Sequence, residues 1–192
     1  MIQDFKTLYG AEADAQRARY AALDTAFAEE FGAADALEYF SAPGRTEIGG
    51  NHTDHNHGKV LAAAVNLDVI AAVKKTDNGV IRLKSAGYPM DTVDTADLAV
   101  KEEEKERSAA LIRGVCARLS ALGYKVGGFD AVTASRVLKG SGLSSSAAFE
   151  VLVVTILSHL YNDDAIAPVE AAQVSKYAEN VYFGKPSGLL DQ

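Results

Sequence analysis

The chain has 192 residues, 48% of them hydrophobic and 23% charged, with a formal net charge of -7. That length and apolar content suit one globular domain with its own core. The acidic balance and the lack of a basic cluster exclude a nucleic-acid partner held through its phosphates.

A single cysteine, Cys116, lies in the apolar-periodic stretch "AALIRGVCARLSAL", so no internal disulfide can form, and a buried helical thiol in a reducing cytoplasm is expected. The N-terminal "MIQDFKTLYGAEADAQRAR" carries acids early and has no apolar core, so neither a secretory signal nor a transit peptide is expected. The most apolar run, "VLVVTILSHLY", is too short to span a bilayer, and no membrane partner is expected.

In chain order, residues 12–31 predict an amphipathic helix with Ala15, Ala18, Ala22, Phe27 and Phe31 among its apolar positions and Gly32 as its stop. "ALEYFSAP" predicts a short strand. "KVLAAAVNLDVIAAVKK" and "VIRLKS" predict strands around the turn "TDNG", although the alanine run favours helix. "KEEEKERSAALIRGVCARLSALG" predicts a helix whose first turn is crowded with acids that suit its dipole, ended by Gly123. "GFDAVTASRV" follows as a strand, "LSSSAAFEVLVVTILSHLY" as a long buried helix and "PVEAAQVSKYAENVYF" as a helix opened by Pro168. Strands interleaved with helices imply an α/β or α+β domain.

Three stretches carry candidate chemistry. In "VLKGSGLSSSAAFEV", Gly140 and Gly142 sit between a strand and a helix that begins at three serines. Glycines let the backbone approach closely, and the first-turn N–H groups and helix dipole favour an anion. The stretch lacks the spacing and lysine of a Walker A loop. A serine-capped turn is the bland alternative, and the serine run favours phosphate binding.

In "GRTEIGGNHTDHNHG", Asn51, His52 and Asp54 offer the donors and acceptors that recognise neighbouring hydroxyls of a sugar, while the planar fork of Arg45 suits a phosphate or a carboxylate. The rival is a zinc site from His52, His55, His57 and Asp54, whose spacing matches no closed structural site. In "FGKPSGLLDQ", Asp191 taken alone reads as part of a frayed terminus.

Together the three segments resemble the GHMP small-molecule kinases and, within them, the galactokinases: "APGRTEIGGNHTDHN" resembles the sugar-binding signature, "GSGLSSSAA" the phosphate loop and "SGLLDQ" the catalytic-aspartate segment. The resemblance implies an α+β fold, the GHMP-kinase N-terminal domain (ribosomal protein S5 domain 2-like), with a mixed sheet packed against helices. It would occupy residues 1–192, with a sugar-binding loop at 41–58, a phosphate loop at 138–148 and a catalytic segment at 184–192. It also implies transfer of the ATP γ-phosphoryl group to the anomeric hydroxyl of a sugar, with galactose the first expectation and Mg2+ as cofactor.

Carried over by position, Asp191 would accept or orient the sugar hydroxyl proton, and Arg45 would hold Asp191 ionised and stabilise developing charge. Asn51, His52, Asp54 and Gly188 would contact sugar. Gly140, Ser141, Gly142, Leu143, Ser144, Ser145 and Ser146 would wrap the nucleotide phosphates, with Ser146 the magnesium ligand. The chain departs from the family at Asn51, where an acid is usual, at Glu47, where asparagine is usual, and at His55, where tyrosine is usual. The first of these leaves another sugar, an amino sugar or a pentose, as an alternative.

Family members continue into a C-terminal ferredoxin-like domain that these residues lack. A fragment or truncated product, or one half of a split protein, is therefore expected, with weak or no activity in isolation. A non-catalytic sugar and ATP sensor is the competing function, against which the retention of Asp191 and Arg45 argues. Intact "GLSSSAA" and "HTD" argue against a bare interaction module.

Overall fold

Strand β2 (Leu61–Lys75) decides the architecture: Val69, Ala71 and Val73 join one apolar cluster, while the alternate Ile70 and Ala72 join another. A strand apolar at consecutive positions needs cover on both faces. The computed structural model describes residues 4–192 and supplies that cover from two helical layers. Residues 1–3, the start of the segment expected to lack a targeting signal, lie outside the described residues.

β2 pairs antiparallel with β1 (Glu38–Gly49) on one side and with β5 (Phe129–Ser135) on the other. β5 runs parallel to β3 (Val80–Ser85), which pairs antiparallel with β4 (Met90–Asp94), giving the mixed order β1-β2-β5-β3-β4. This is the mixed sheet and α+β fold expected from the sequence. One face carries α3 (Ser108–Ala121), α4 (Ser145–Asn162) and α5 (Pro168–Tyr177), whose Ile112, Leu119, Leu152, Leu157 and Val174 are fully buried. The other carries α1 (Phe5–Tyr9) and α2 (Ala13–Phe31), with Phe5, Tyr20, Leu23 and Phe27 packed on Ile70, Ala72 and Val132.

Several local expectations change. The buried stripe of α2 is Gln16, Tyr20, Leu23 and Phe27, whereas Ala15, Ala18 and Ala22 are exposed. A methyl group buries too little area to set a helix face when aromatic and leucine side chains are available. Gln16 is tolerated inside because its amide donates to Glu12 and accepts from Arg19.

The acid run does not open α3. Glu102–Glu104 forms a separate 3₁₀ turn, and both oxygens of Glu104 take the guanidinium of Arg113, which is 2% exposed. A buried charge needs a partner more than a helix end needs acids. The alanine run stays extended because Ala62, Ala63 and Ala64 pair with Glu47, Thr46 and Arg45. Cys116 is fully buried, and burial pushes its thiol up to about 12. No helix among the described residues is long and apolar enough to cross a membrane.

Candidate active site

Arg45 reaches the site because β1 is interrupted just before it: Pro43 pairs with Asp68 and Arg45 with Ala64, a register shift centred on Gly44. A Cβ on Gly44 would lie 2.9 Å from the Leu143 carbonyl oxygen and 3.0 Å from a Val137 methyl. Glycine therefore lets the loop that carries Leu143 cross directly over the strand. The backbone N–H of Arg45 donates to the Leu143 carbonyl at 3.2 Å, and its Nη1 donates to the Gly142 carbonyl at 2.8 Å.

The other end of the same guanidinium gathers the remaining motifs. Nη2 pairs with Asp191 Oδ1 and lies 3.0 Å from His52 Nε2, which is itself 3.6 Å from Asp191 Oδ1. His52 and Asn51 hold left-handed backbone, with φ of 53° and 52°, so the chain folds sharply back toward Arg45. Glu47 holds this turn by accepting the His52 N–H at 3.1 Å. Asn51 is exposed beside the turn.

Asp54 ties the sugar-loop candidate to the C-terminal segment. Its Oδ2 accepts the Leu190 N–H at 2.9 Å, and Oδ1 is buried without a hydrogen-bond partner. Burial alone would raise this carboxyl, but the backbone N–H groups of Leu190 and Leu189 outweigh it and hold the group below its ordinary value. A Cβ on Gly188 would fall inside the Asp54 carboxylate, so Gly188 is needed for the approach itself. A buried acceptor with no partner is a place a ligand hydroxyl can complete.

In the phosphate-loop candidate, Gly140 and Gly142 take φ of 78° and 77°, and Ser144 takes 55° before α4 begins at Ser145. Ser141 turns back on its own loop, donating to the Leu138 carbonyl at 2.7 Å. Ser146 donates to Glu179 Oε1 at 2.8 Å. Glu179, on the π-helical turn Ala178–Phe183 after α5, is fully buried and was not singled out from the sequence. An acid inside an apparently ordinary helix gives no local signal; the one-turn π distortion, which sequence periodicity does not show, is what delivers it. Ser146 and Glu179 together offer the hard oxygen donors that suit a magnesium ion.

Asp191 is far from frayed. Burial would raise its carboxyl, but the hydrogen bond and charge of Arg45, helped by the Ser144 hydroxyl and Lys185, hold it below the ordinary carboxylate range. The neighbouring Gln192 amide donates to Glu179 Oε2 at 3.1 Å and Glu150 Oε2 at 3.3 Å. Burial first, then the charge of Glu179, push the Glu150 carboxyl up to about 9. Beside this cluster lies a largely apolar cavity of about 250 Å³ lined by Arg45, Ala62, Ala63, Ala64, Val151 and Asp191 among others.

Of the four residues weighed as zinc ligands, His52 turns to Arg45 and Asp54 to Leu190, while His55 and His57 are exposed.

Comparison with known proteins agrees with this arrangement. Residues 25–75 match the galactokinase galactose-binding signature, and residues 110–192 match the GHMP kinases N terminal domain. The galactokinase of Clostridium tetani is 33% identical over 171 residues, covering 88% of this chain and 43% of its own length. That of Streptomyces coelicolor is 38% identical over 168 residues, covering 86% and 42%. The crystal structure of Lactococcus lactis galactokinase complexed with galactose superposes with a TM-score of 0.82 at 31% identity, over 90% of this chain and 45% of that one. Methanococcus jannaschii mevalonate kinase shares the fold at 18% identity, with a TM-score of 0.67, covering 82% of this chain and 50% of that one. The chain thus spans less than half the length of the galactokinases it matches. With its signature residues converging on Arg45 and Asp191, it belongs to the GHMP kinase superfamily and corresponds to the N-terminal portion of its galactokinase family.

Proposed function

We propose that residues 1–192 form the sugar- and phosphate-binding domain of an ATP-dependent sugar 1-kinase whose substrate is galactose. The observation that carries this reading is the position of Arg45, which joins the Gly142 carbonyl of the phosphate loop to His52 of the sugar loop and to Asp191. The galactose reading draws on the galactose-binding signature and on the galactose complex of the Lactococcus lactis relative.

In this reading the anomeric hydroxyl oxygen attacks the γ-phosphorus, the bond from that phosphorus to the β–γ bridging oxygen breaks, and ADP leaves with the electron pair. The hydroxyl proton goes to Asp191. A carboxylate held below its ordinary pKa is a weak base, which fits a loose phosphoryl-transfer transition state that asks more for alignment than for strong deprotonation. Arg45 stabilises the charge developing on the transferring group, and backbone N–H groups around Ser144 and Ser145 hold the phosphates. Asp54 Oδ1 and His52 bind sugar hydroxyls, with Asn51 and the Gly188 backbone beside them. Mg2+ would be held by Ser146 and Glu179 and would neutralise phosphate charge.

The test is ATP turnover with a panel of sugars by the full-length protein that contains these residues. Galactose-dependent ADP formation that falls by roughly 10²–10⁴ in Asp191→Asn supports the assignment. Turnover with a different sugar would move the substrate. Binding of galactose and ATP without turnover would replace the kinase by a sensor.

A further inference from the structure

The two oxygens of Asp191 face different cations. Oδ1 pairs with Arg45, while Oδ2 lies 3.6 Å from Nζ of Lys185. That ammonium also sits 2.9 Å from Glu179 Oε1, the oxygen that accepts the Ser146 hydroxyl. Lys185 thus stands between Asp191 and the buried Glu179 to which Ser146 of the phosphate loop attaches.

Its backbone is placed as firmly as its head. The N–H groups of Gly184 and Lys185 both donate to the Glu179 carbonyl, at 3.0 and 3.1 Å, and Gly184 takes the left-handed φ of 90° that this double bond requires. Two residues on, the Ser187 N–H and hydroxyl both donate to Asn180 Oδ1, at 2.8 and 3.0 Å. The segment is stapled to the π-helical turn on both sides of the lysine. The Lys185 side chain is nonetheless 49% exposed, against 0% for Glu179 and 11% for Asp191. An ammonium has three donors, and two carboxylate directions leave one for a ligand.

We propose that Lys185 is a second catalytic cation, one that contacts the γ-phosphoryl group from the side of Asp191 opposite Arg45. The inference rests on the ATP-dependent kinase reading above. A mere counter-ion for buried Glu179 would not need the approach to Asp191.

The experiment is calorimetric titration of the full-length protein with Mg2+ and either a non-hydrolysable ATP analogue or ADP, using wild type, Lys185→Ala and Lys185→Arg. Loss of a charge-assisted contact to the γ-phosphate is expected to weaken the ATP analogue by about 10-fold or more. ADP should change by less than about 3-fold, since it lacks the group contacted. Lys185→Arg should recover most of the lost affinity. Equal weakening of both nucleotides, or none, overturns the proposal and leaves Lys185 as the counter-ion of Glu179, seen as a lowered melting temperature alone. If wild type binds neither nucleotide, the kinase reading falls too, and the wild-type titration by itself reveals that case.

Discussion

At the scale of single residues, the site depends on contacts that leave no tolerance for added atoms. Gly188→Ala would drive a methyl group into the Asp54 carboxylate. We expect it to release Asp54 from Leu190 and to weaken galactose binding by about 5- to 150-fold, measured by calorimetry, because an unpaired buried acceptor costs about 1–3 kcal/mol. Asp191 offers an electrostatic counterpart. In wild type its carboxyl titrates below its reference value of 3.8, so it stays ionised at every pH above that range. Its contribution to stability is present above the unfolded pKa and is lost as pH falls through the folded one. Replacing Arg45 by Gln removes the main lowering influences while burial, which raises the group, stays. Carbon-13 NMR titration should then find Asp191 titrating at a higher pH than in wild type, and a carboxyl that did not move would show that Arg45 is not what holds the group ionised.

At the scale of elements, α4 carries the opposite case. Glu150 is fully buried one turn after Ser146, and its carboxyl is pushed from 4.5 to about 9 by burial and the charge of Glu179. The folded protein keeps the proton where the unfolded chain has lost it, so this group makes stability fall as pH rises from 4.5 toward 9, by at most about 1.4 kcal/mol per pH unit. Glu150→Gln keeps the size and a hydrogen-bonding oxygen for Gln192 while removing the titration. Urea unfolding at pH 5 and pH 8 should show wild type losing more stability between the two than the variant. Parallel losses would mean that Glu150 is already ionised in the fold.

At the scale of the whole molecule, both helical layers depend on β2, which contributes Val69, Ala71 and Val73 to one core cluster and Ile70 and Ala72 to the other. The layers should therefore unfold together. Phe27→Ala in α2, at a side chain 1% exposed, is expected to cost about 3–5 kcal/mol and to lower a single calorimetric transition without splitting it. Two separated transitions would show that the α2 layer folds independently of the α3, α4 and α5 layer.

The local sequence was enough for features whose cause is local. β-Branched residues around a turn marked β2 and β3, alternation marked β5, Gly32 and Pro168 bounded their helices, and the glycine and serine run marked the loop before α4. Those signals exist because backbone preference and hydrophobic period act within one element. What depends on partners distant in the chain was not legible. The choice of Tyr20 and Leu23 over three alanines on α2 needed the opposing sheet face, and the detachment of the acid run from α3 needed Arg113 to be buried. Glu179 became part of the site only when a π-helical turn brought it to Ser146. The residue types of the proposed catalytic pair were written in two motifs 146 positions apart, but only the tertiary structure could place Asp191 against Arg45. That pairing follows from a strand register shift, a loop crossing at Gly44 and a clamp by Asp54, each a long-range contact whose energy no short stretch of sequence contains.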